Sequence, residues 1–243
     1  MKAPALPGLS LILLLVMLAL LVNMPARFVA LLVEQACSGQ CRISDSSGSA
    51  WNGQGRLFLN SNQRWFDLGP VHWRFPASDA YFVLGLGHGK IIWRTLHQLE
   101  VDGITLPAAA ILGHPALQLP AGDWRGSLTV GTTQLRLAPG NTPGISGHGQ
   151  IEWRQAATPL VADYPLGNYQ INWRWEERSA PHGSFSGGRP SLILVEGQFD
   201  AGQANARIDL QGEARLRLER YLSLIARPLP DRDGSWTLLF RLD

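Results

Sequence analysis

With 243 residues, 45% of them hydrophobic, the chain holds enough apolar material for one large domain or two small ones. Charged residues make up only 16%, below the roughly 25% of an average soluble protein, and a net charge of +2 is too small to argue for a nucleic-acid partner. The 26 glycines and 16 prolines are frequent enough to punctuate many short strands.

The first signal in chain order is apolar. No charge occurs from Ala3 to Ala26, and Leu9–Val22 is almost wholly aliphatic. A bilayer's hydrocarbon core takes about 20 apolar residues to cross as a helix. Residues 5–24 meet that length, which predicts a transmembrane anchor behind a cytoplasmic tail of residues 1–4. A cleaved signal peptide is the rival reading; it wants small residues before a cleavage site, and Met24-Pro25-Ala26 is a poor one. Lys2, Arg27 and Arg42 give only a weak charge bias for orientation. The short tail and the cysteines favour the bulk of the chain outside the cytoplasm.

Asn23-Met24-Pro25 reads as a helix restart, with Asn as N-cap and Pro in the first turn. Residues 25–36 then form a membrane-proximal helix, with Phe28, Leu31, Leu32 and Gln35 at helical spacing. Cys37 and Cys41 bracket Ser-Gly-Gln, a spacing that could close a small loop. A local disulfide is the favoured reading, in keeping with an oxidising compartment. Free thiols stay open; structural zinc would want four ligands, and a thioredoxin-like motif two intervening residues rather than three.

From Arg42 onward the hydrophobic period changes to two. Short strands are expected at 56–59, 68–75, 81–86, 90–94, 99–106, 126–130 and 134–137. Others follow at 150–154, 169–175, 192–199, 206–210, 214–218 and 236–242. Leu137–Gly147 and Ser179–Pro190, rich in Gly, Pro and Ser, read as loops, and Glu219–Arg227 as a short capping helix. Gly87-His88-Gly89-Lys90-Ile91-Ile92-Trp93-Arg94 returns 60 residues later as Gly147-His148-Gly149-Gln150-Ile151-Glu152-Trp153-Arg154. Each phrase reads as a glycine turn feeding a strand that ends in Trp-Arg. Trp73, Trp93, Trp153 and Trp173 fall on a 20-residue grid, each followed by Arg, which suggests a meander of hairpins. Alternation puts each indole on one face and each guanidinium on the other. The expected fold is mainly β: a curved antiparallel sheet or β-roll of short hairpin strands, with one N-terminal transmembrane helix and a short C-terminal capping helix. Residues 37–243 form the β domain, with possible similar halves at about 42–137 and 147–243.

Catalytic grammar is sparse. Gly144-Ile145-Ser146-Gly147 is followed by His148, so the nucleophile elbow fails. The phosphate loop fails at Leu84 and again at Ile91. His88 and His148 form a tempting pair in the repeated phrase, yet no carboxylate or Cys stands at a recognisable spacing. The reading is therefore non-enzymatic, with no catalytic residue, metal, cofactor or small-molecule substrate.

Ser47-Gly48-Ser49-Ala50-Trp51-Asn52-Gly53 resembles the Gly-Thr-x-Trp-x-Gly signature of the type II secretion system protein N family, with Ser49 in place of the usual Thr. Met24-Pro25-Ala26-Arg27-Phe28 is similar to the Pro-Ala-x-aromatic stretch that precedes it. The Gly-x-Ile-x-Trp-Arg strands and the tail around Tyr221–Pro228 and Gly234–Leu238 resemble the family as well. The Cys37/Cys41 loop is not part of the pattern. The resemblance implies a single-pass protein of the bacterial inner membrane with its β domain in the periplasm. It implies contacts with other inner-membrane platform proteins of the secretion system, which exports folded proteins across the outer membrane. Gly48, Trp51 and Gly53 are then fold elements, with the Trp51 indole expected in the core. The alternative is an inner-membrane-anchored β-groove protein that binds or passes lipid.

Overall fold

The computed structural model describes residues 7–76, 81–94, 97–117, 122–138, 144–158, 166–177, 179–189, 192–200, 203–230 and 234–241. The chain begins with two helices, α1 (Pro7–Val22) and α2 (Arg27–Ala36). Every side chain from Leu11 to Val22 is exposed, so no part of the sheet covers that stretch of α1. At ~1.5 Å per residue its 16 residues reach about 24 Å, short of the ~30 Å hydrocarbon core. Among the described residues no helix is long and apolar enough to cross a membrane, which corrects the expected transmembrane helix. The expected span of residues 5–24 begins outside the described residues. Asn23 closes α1 instead of opening α2: its side-chain amide donates to the Ala19 carbonyl at 2.8 Å. Ala26 occupies the N-cap of α2.

All the strands belong to one antiparallel sheet. Its first meander is β1 (Cys41–Gly48), β2 (Asn52–Ser61), β3 (Arg64–Arg74), β4 (Tyr81–Leu86) and β5 (Gly89–Arg94). Asn62 and Gln63 both have positive φ, as a two-residue hairpin turn requires. Next come β6 (Gln98–Asp102) and β7 (Ile104–Pro107), separated by Gly103 at φ +67°, then a short helix α3 (Ala108–Leu112). β8 (Arg125–Val130) and β9 (Thr133–Ala138) pair with β7 and β6 respectively, and both pair with β10 (Gly144–Ala157). β6–β7 and β8–β9 are thus two long strands, each broken once. The meander continues through β11 (Gly167–Trp175), β12 (His182–Arg189), β13 (Ile193–Asp200) and β14 (Gln203–Leu210). Helix α4 (Gly212–Ile225) leads to the two-residue β15 (Arg227–Pro228) and the last strand β16 (Ser235–Arg241). The sheet does not close: β1 and β15 stand at opposite ends of its order.

One face is apolar across the whole order. Register carries it from Ile43 opposite Leu57, through Trp73 opposite Leu84 and Phe82 opposite Trp93, to Leu99 opposite Leu135. Trp153 opposite Tyr169, Ile171 opposite Phe185 and Ile208 opposite Trp236 continue it. The four grid tryptophans all lie on this face, and Arg74, Arg94, Arg154 and Arg174 lie on the other. Two cores form against it. In the first, Ile104 of the broken strand and Ala26 before α2 pack on Val71, Trp73 and Leu86. In the second, Leu218 and Leu222 of α4 cover Ile193, Ile208, Leu210, Trp236 and Leu238. Between them the rings of Trp124, Trp153 and Tyr169 run in a chain with 5.9 Å centroid spacings. Trp93, Leu137 and Ile171 there are 39–45% exposed.

Three sequence expectations are corrected. The alternating Arg215-Leu216-Arg217-Leu218 is helix, not strand: Leu218 and Leu222 are four residues apart and buried together, while Leu216 is 81% exposed. The capping helix is accordingly Gly212–Ile225 rather than Glu219–Arg227. Ser179–Pro190 contains the strand β12, whose Gly183 and Gly187 lie on the apolar face opposite aromatic and aliphatic neighbours. The repeated phrase has two different backbones. Gly87 and His88 form a turn before β5, whereas Gly147-His148-Gly149 is mid-strand in β10. Each second glycine answers a different crowding. A β-carbon at Gly89 would come within 2.5 Å of the Gly103–Ile104 backbone, and one at Gly149 within 2.8 Å of the Trp173 ring.

Candidate functional site: the junction of helix and sheet

The turn joining β1 to β2 carries Gly48, Trp51 and Gly53. Gly48 takes φ +90°, a conformation that favours glycine. The Ser49 hydroxyl accepts hydrogen bonds from the backbone N–H of Trp51 and Asn52, at 3.3 and 3.1 Å. Any residue with a β-hydroxyl can make that turn, so Ser does here what Thr can do. Gly53 is buried because the Trp73 ring lies across it; a β-carbon there would sit 2.5 Å from that ring. Trp73 is 1% exposed, and its indole N–H donates to the Ala50 carbonyl at 3.1 Å.

This turn receives the Met24-Pro25-Ala26 segment. Ala50 N–H donates to Met24 C=O at 2.7 Å, Ala26 N–H donates to Gly48 C=O at 3.1 Å, and Pro25 bridges Ser49. Trp51 is 39% exposed and is not the core residue expected from the sequence; Trp73 fills that place. The Trp51 indole N–H instead donates to the Leu21 carbonyl at 2.9 Å, satisfying one of the carbonyls left open at the end of α1. Its ring meets Phe75 edge-on at 5.9 Å, and Phe75 packs on Phe82 at 4.5 Å. The junction therefore fixes where α1 leaves the sheet. Around it, Phe28, Leu31 and Leu32 of α2 and Phe75 are 42–59% exposed, with Arg27 beside the Phe28 ring.

Cys37 and Cys41 form a disulfide with a Cα–Cα distance of 5.5 Å. It joins the end of α2 to the start of β1. Gln40, within the loop, pairs its side-chain oxygen with His114 Nε2 at 2.9 Å.

The remaining sequence-chosen residues do not converge on the junction. Trp93 lies exposed on β5, and Trp153 donates its indole N–H to the Arg125 carbonyl at 3.0 Å. Trp173 lies over Gly149 in the far half. His88 is exposed in its turn, and His148 is exposed on the polar face of β10. Among the described residues no group of three or more His, Cys, Asp or Glu could hold a metal ion. Among the described residues Tyr169 is the one clearly shifted acid on the apolar face: burial pushes its phenol up to about 12, and its hydroxyl donates to the Leu166 carbonyl at 3.2 Å. No family model, curated protein or solved structure matches the chain. Sequence reading missed Leu21 and Phe75 as parts of the junction. Leu21 acts through its backbone oxygen, which no side-chain pattern reports.

Proposed function

We propose that the chain is an accessory component of the bacterial type II secretion system that works through protein contacts rather than catalysis. One observation carries this reading. The two segments that resemble the family's N-terminal pattern, Met24–Phe28 and Ser47–Gly53, are separated by 18 residues yet share one hydrogen-bonded junction. Their joint appearance has a physical reason, since each supplies the partners of the other. The exposed, uncharged α1 supports attachment to the inner membrane: a helix that is apolar all round needs a nonaqueous setting. The exposed Phe28, Leu31, Leu32 and Trp51 at its base suit the headgroup boundary. The β domain then lies on the periplasmic side, where the Cys37–Cys41 disulfide persists and other platform proteins can be met. Deletion of the gene is the test. Exported enzymes should accumulate in the periplasm and leave the cell again when the full chain is restored; normal export in the deletion strain refutes the reading.

A second reading, lipid binding, has its own observation. The strip of apolar face between the two cores, with Trp93, Leu137 and Ile171, is uncovered. It expects phospholipid to co-purify with the chain in detergent, and loss of that lipid on placing Glu at Ile171.

A further inference from the structure

The polar face of β10–β13 holds two cross-strand rows. Register sets His148 opposite Arg174 and Arg174 opposite His182. One step along the strands it sets Gln150 opposite Asn172, Asn172 opposite Ser184, and Ser184 opposite Gln198. Between the rows runs an open groove of about 830 Å³, lined by both rows and by the intervening Gly149, Trp173, Gly183 and Phe199. Four strands at the ~4.8 Å sheet spacing make it about 14 Å long. That is the reach of about four extended residues.

The two walls differ in chemistry. Three arginines of the same face already hold a carboxylate: Arg94 with Glu100, Arg154 with Glu152 and Arg207 with Asp209. The side chains of Arg174, His148 and His182 have no ion pair or hydrogen bond to another described residue. Side chains directly opposite on adjacent strands stand about 5 Å apart, so one anion can reach the Arg174 guanidinium and an imidazole N–H together. A guanidinium flanked by two imidazoles is thus a row of N–H donors able to receive an anion. Arg136 on β9 is opposite Ser146, two residues before His148, and lines the neighbouring hollow rather than the groove. Asp200 lines the opposite end, beside His182, and gives the groove a direction. Glu176 and Glu177 line the neighbouring hollow with Arg136, and His148 and Arg174 border both hollows. The facing wall presents amides and a hydroxyl, which both donate and accept, as a peptide backbone does. The Trp173 and Phe199 rings point to the apolar face, so no aromatic ring is offered to stack on a sugar.

We infer that this groove is a docking site for a short, extended, acidic peptide segment of a partner protein. Its carboxylates meet His148, Arg174 and His182, with Arg174 offering the two parallel N–H donors that suit a carboxylate. Its backbone meets Gln150, Asn172, Ser184 and Gln198. The inference rests on the groove alone and stands or falls apart from the secretion reading.

The test is fluorescence anisotropy with the full chain in dodecyl maltoside. The probe is an end-blocked hexapeptide of alternating Glu and Ser carrying a dye, and the controls are its Gln–Ser and Lys–Ser counterparts. The acidic peptide should bind and the Gln–Ser peptide should bind at least tenfold more weakly. R174Q should weaken the acidic peptide about tenfold and N172A several-fold. R174E should abolish acidic binding and gain the Lys–Ser peptide, a reversal that misfolding cannot produce. Equal binding of the acidic and Gln–Ser peptides, or an R174E chain that still prefers the acidic one, overturns the inference. Binding of a uronic-acid oligosaccharide in place of the peptide overturns it as well.

Discussion

Adding one methyl group at Gly53 tests whether the signature turn is built around Trp73. The β-carbon of Gly53→Ala would lie 2.5 and 2.7 Å from two atoms of the Trp73 indole and 2.8 Å from the Ser49 carbonyl oxygen. Trp73 is 1% exposed and its N–H is held by Ala50, so the ring cannot step aside without breaking that bond. Overpacking of this kind costs about 1–3 kcal/mol. Trp73→Ala removes the ring and leaves the Ala50 carbonyl without its donor, for about 3–5 kcal/mol. Independent effects would sum to about 4–8 kcal/mol. The geometry predicts otherwise. Once the ring is gone, the added methyl enters the space it leaves, and only the Ser49 contact persists. The double variant should therefore be more stable than the sum by about 1–2 kcal/mol. Urea unfolding followed by far-ultraviolet circular dichroism reads all four corners, because nine tryptophans make fluorescence ambiguous. Additivity within about 0.5 kcal/mol refutes the reasoning.

Reducing the Cys37–Cys41 disulfide frees a five-residue loop, worth about 2 kcal/mol by loop-closure entropy; thermal scans with and without reductant should show a loss of a few degrees. Leu222→Ala should cost about 2–5 kcal/mol, because Leu222 is a buried part of the contact between α4 and β13, β14 and β16; an unchanged urea midpoint would detach α4 from the sheet. Tyr169 titrates near 12 when folded and near 10 when unfolded. The fold thus holds its proton longer, and this contribution is fully present below about pH 10 and lost as pH rises toward 12. Absorbance at 295 nm during base titration should show a component rising near pH 12, and Tyr169→Phe should remove it.

The one-sided sheet was legible because alternation is a local property. Trp73-Arg74, Trp93-Arg94, Trp153-Arg154 and Trp173-Arg174 put their rings on one face wherever the strand runs. The helix α4 was half legible: Arg215-Leu216-Arg217-Leu218 fits a period of two over four residues, and only Leu222 decides for the helix. β12 was hidden because its glycines read as loop. Their role is to leave room for rings from neighbouring strands, as Gly183 does for Phe199 and Gly197 on β13 does for Phe185. The junction was visible as two separate motifs but not as one object. The contacts that unite it run through the backbone oxygens of Leu21, Met24 and Gly48. The groove on the polar face was invisible for a related reason: His148, Arg174 and His182 come together only through the register of three strands.

The most direct measurement is export by a deletion strain that carries either the wild-type chain or Trp51→Ala. Trp51 is exposed and outside both cores, so the variant should fold and accumulate at the wild-type level. It loses the indole bond to Leu21 and the contact with Phe75, and with them the fixed exit of α1 from the sheet. The account predicts normal protein levels with exported enzymes retained in the periplasm. Full export by the Trp51→Ala chain would contradict the claim that this junction is what the secretion role depends on.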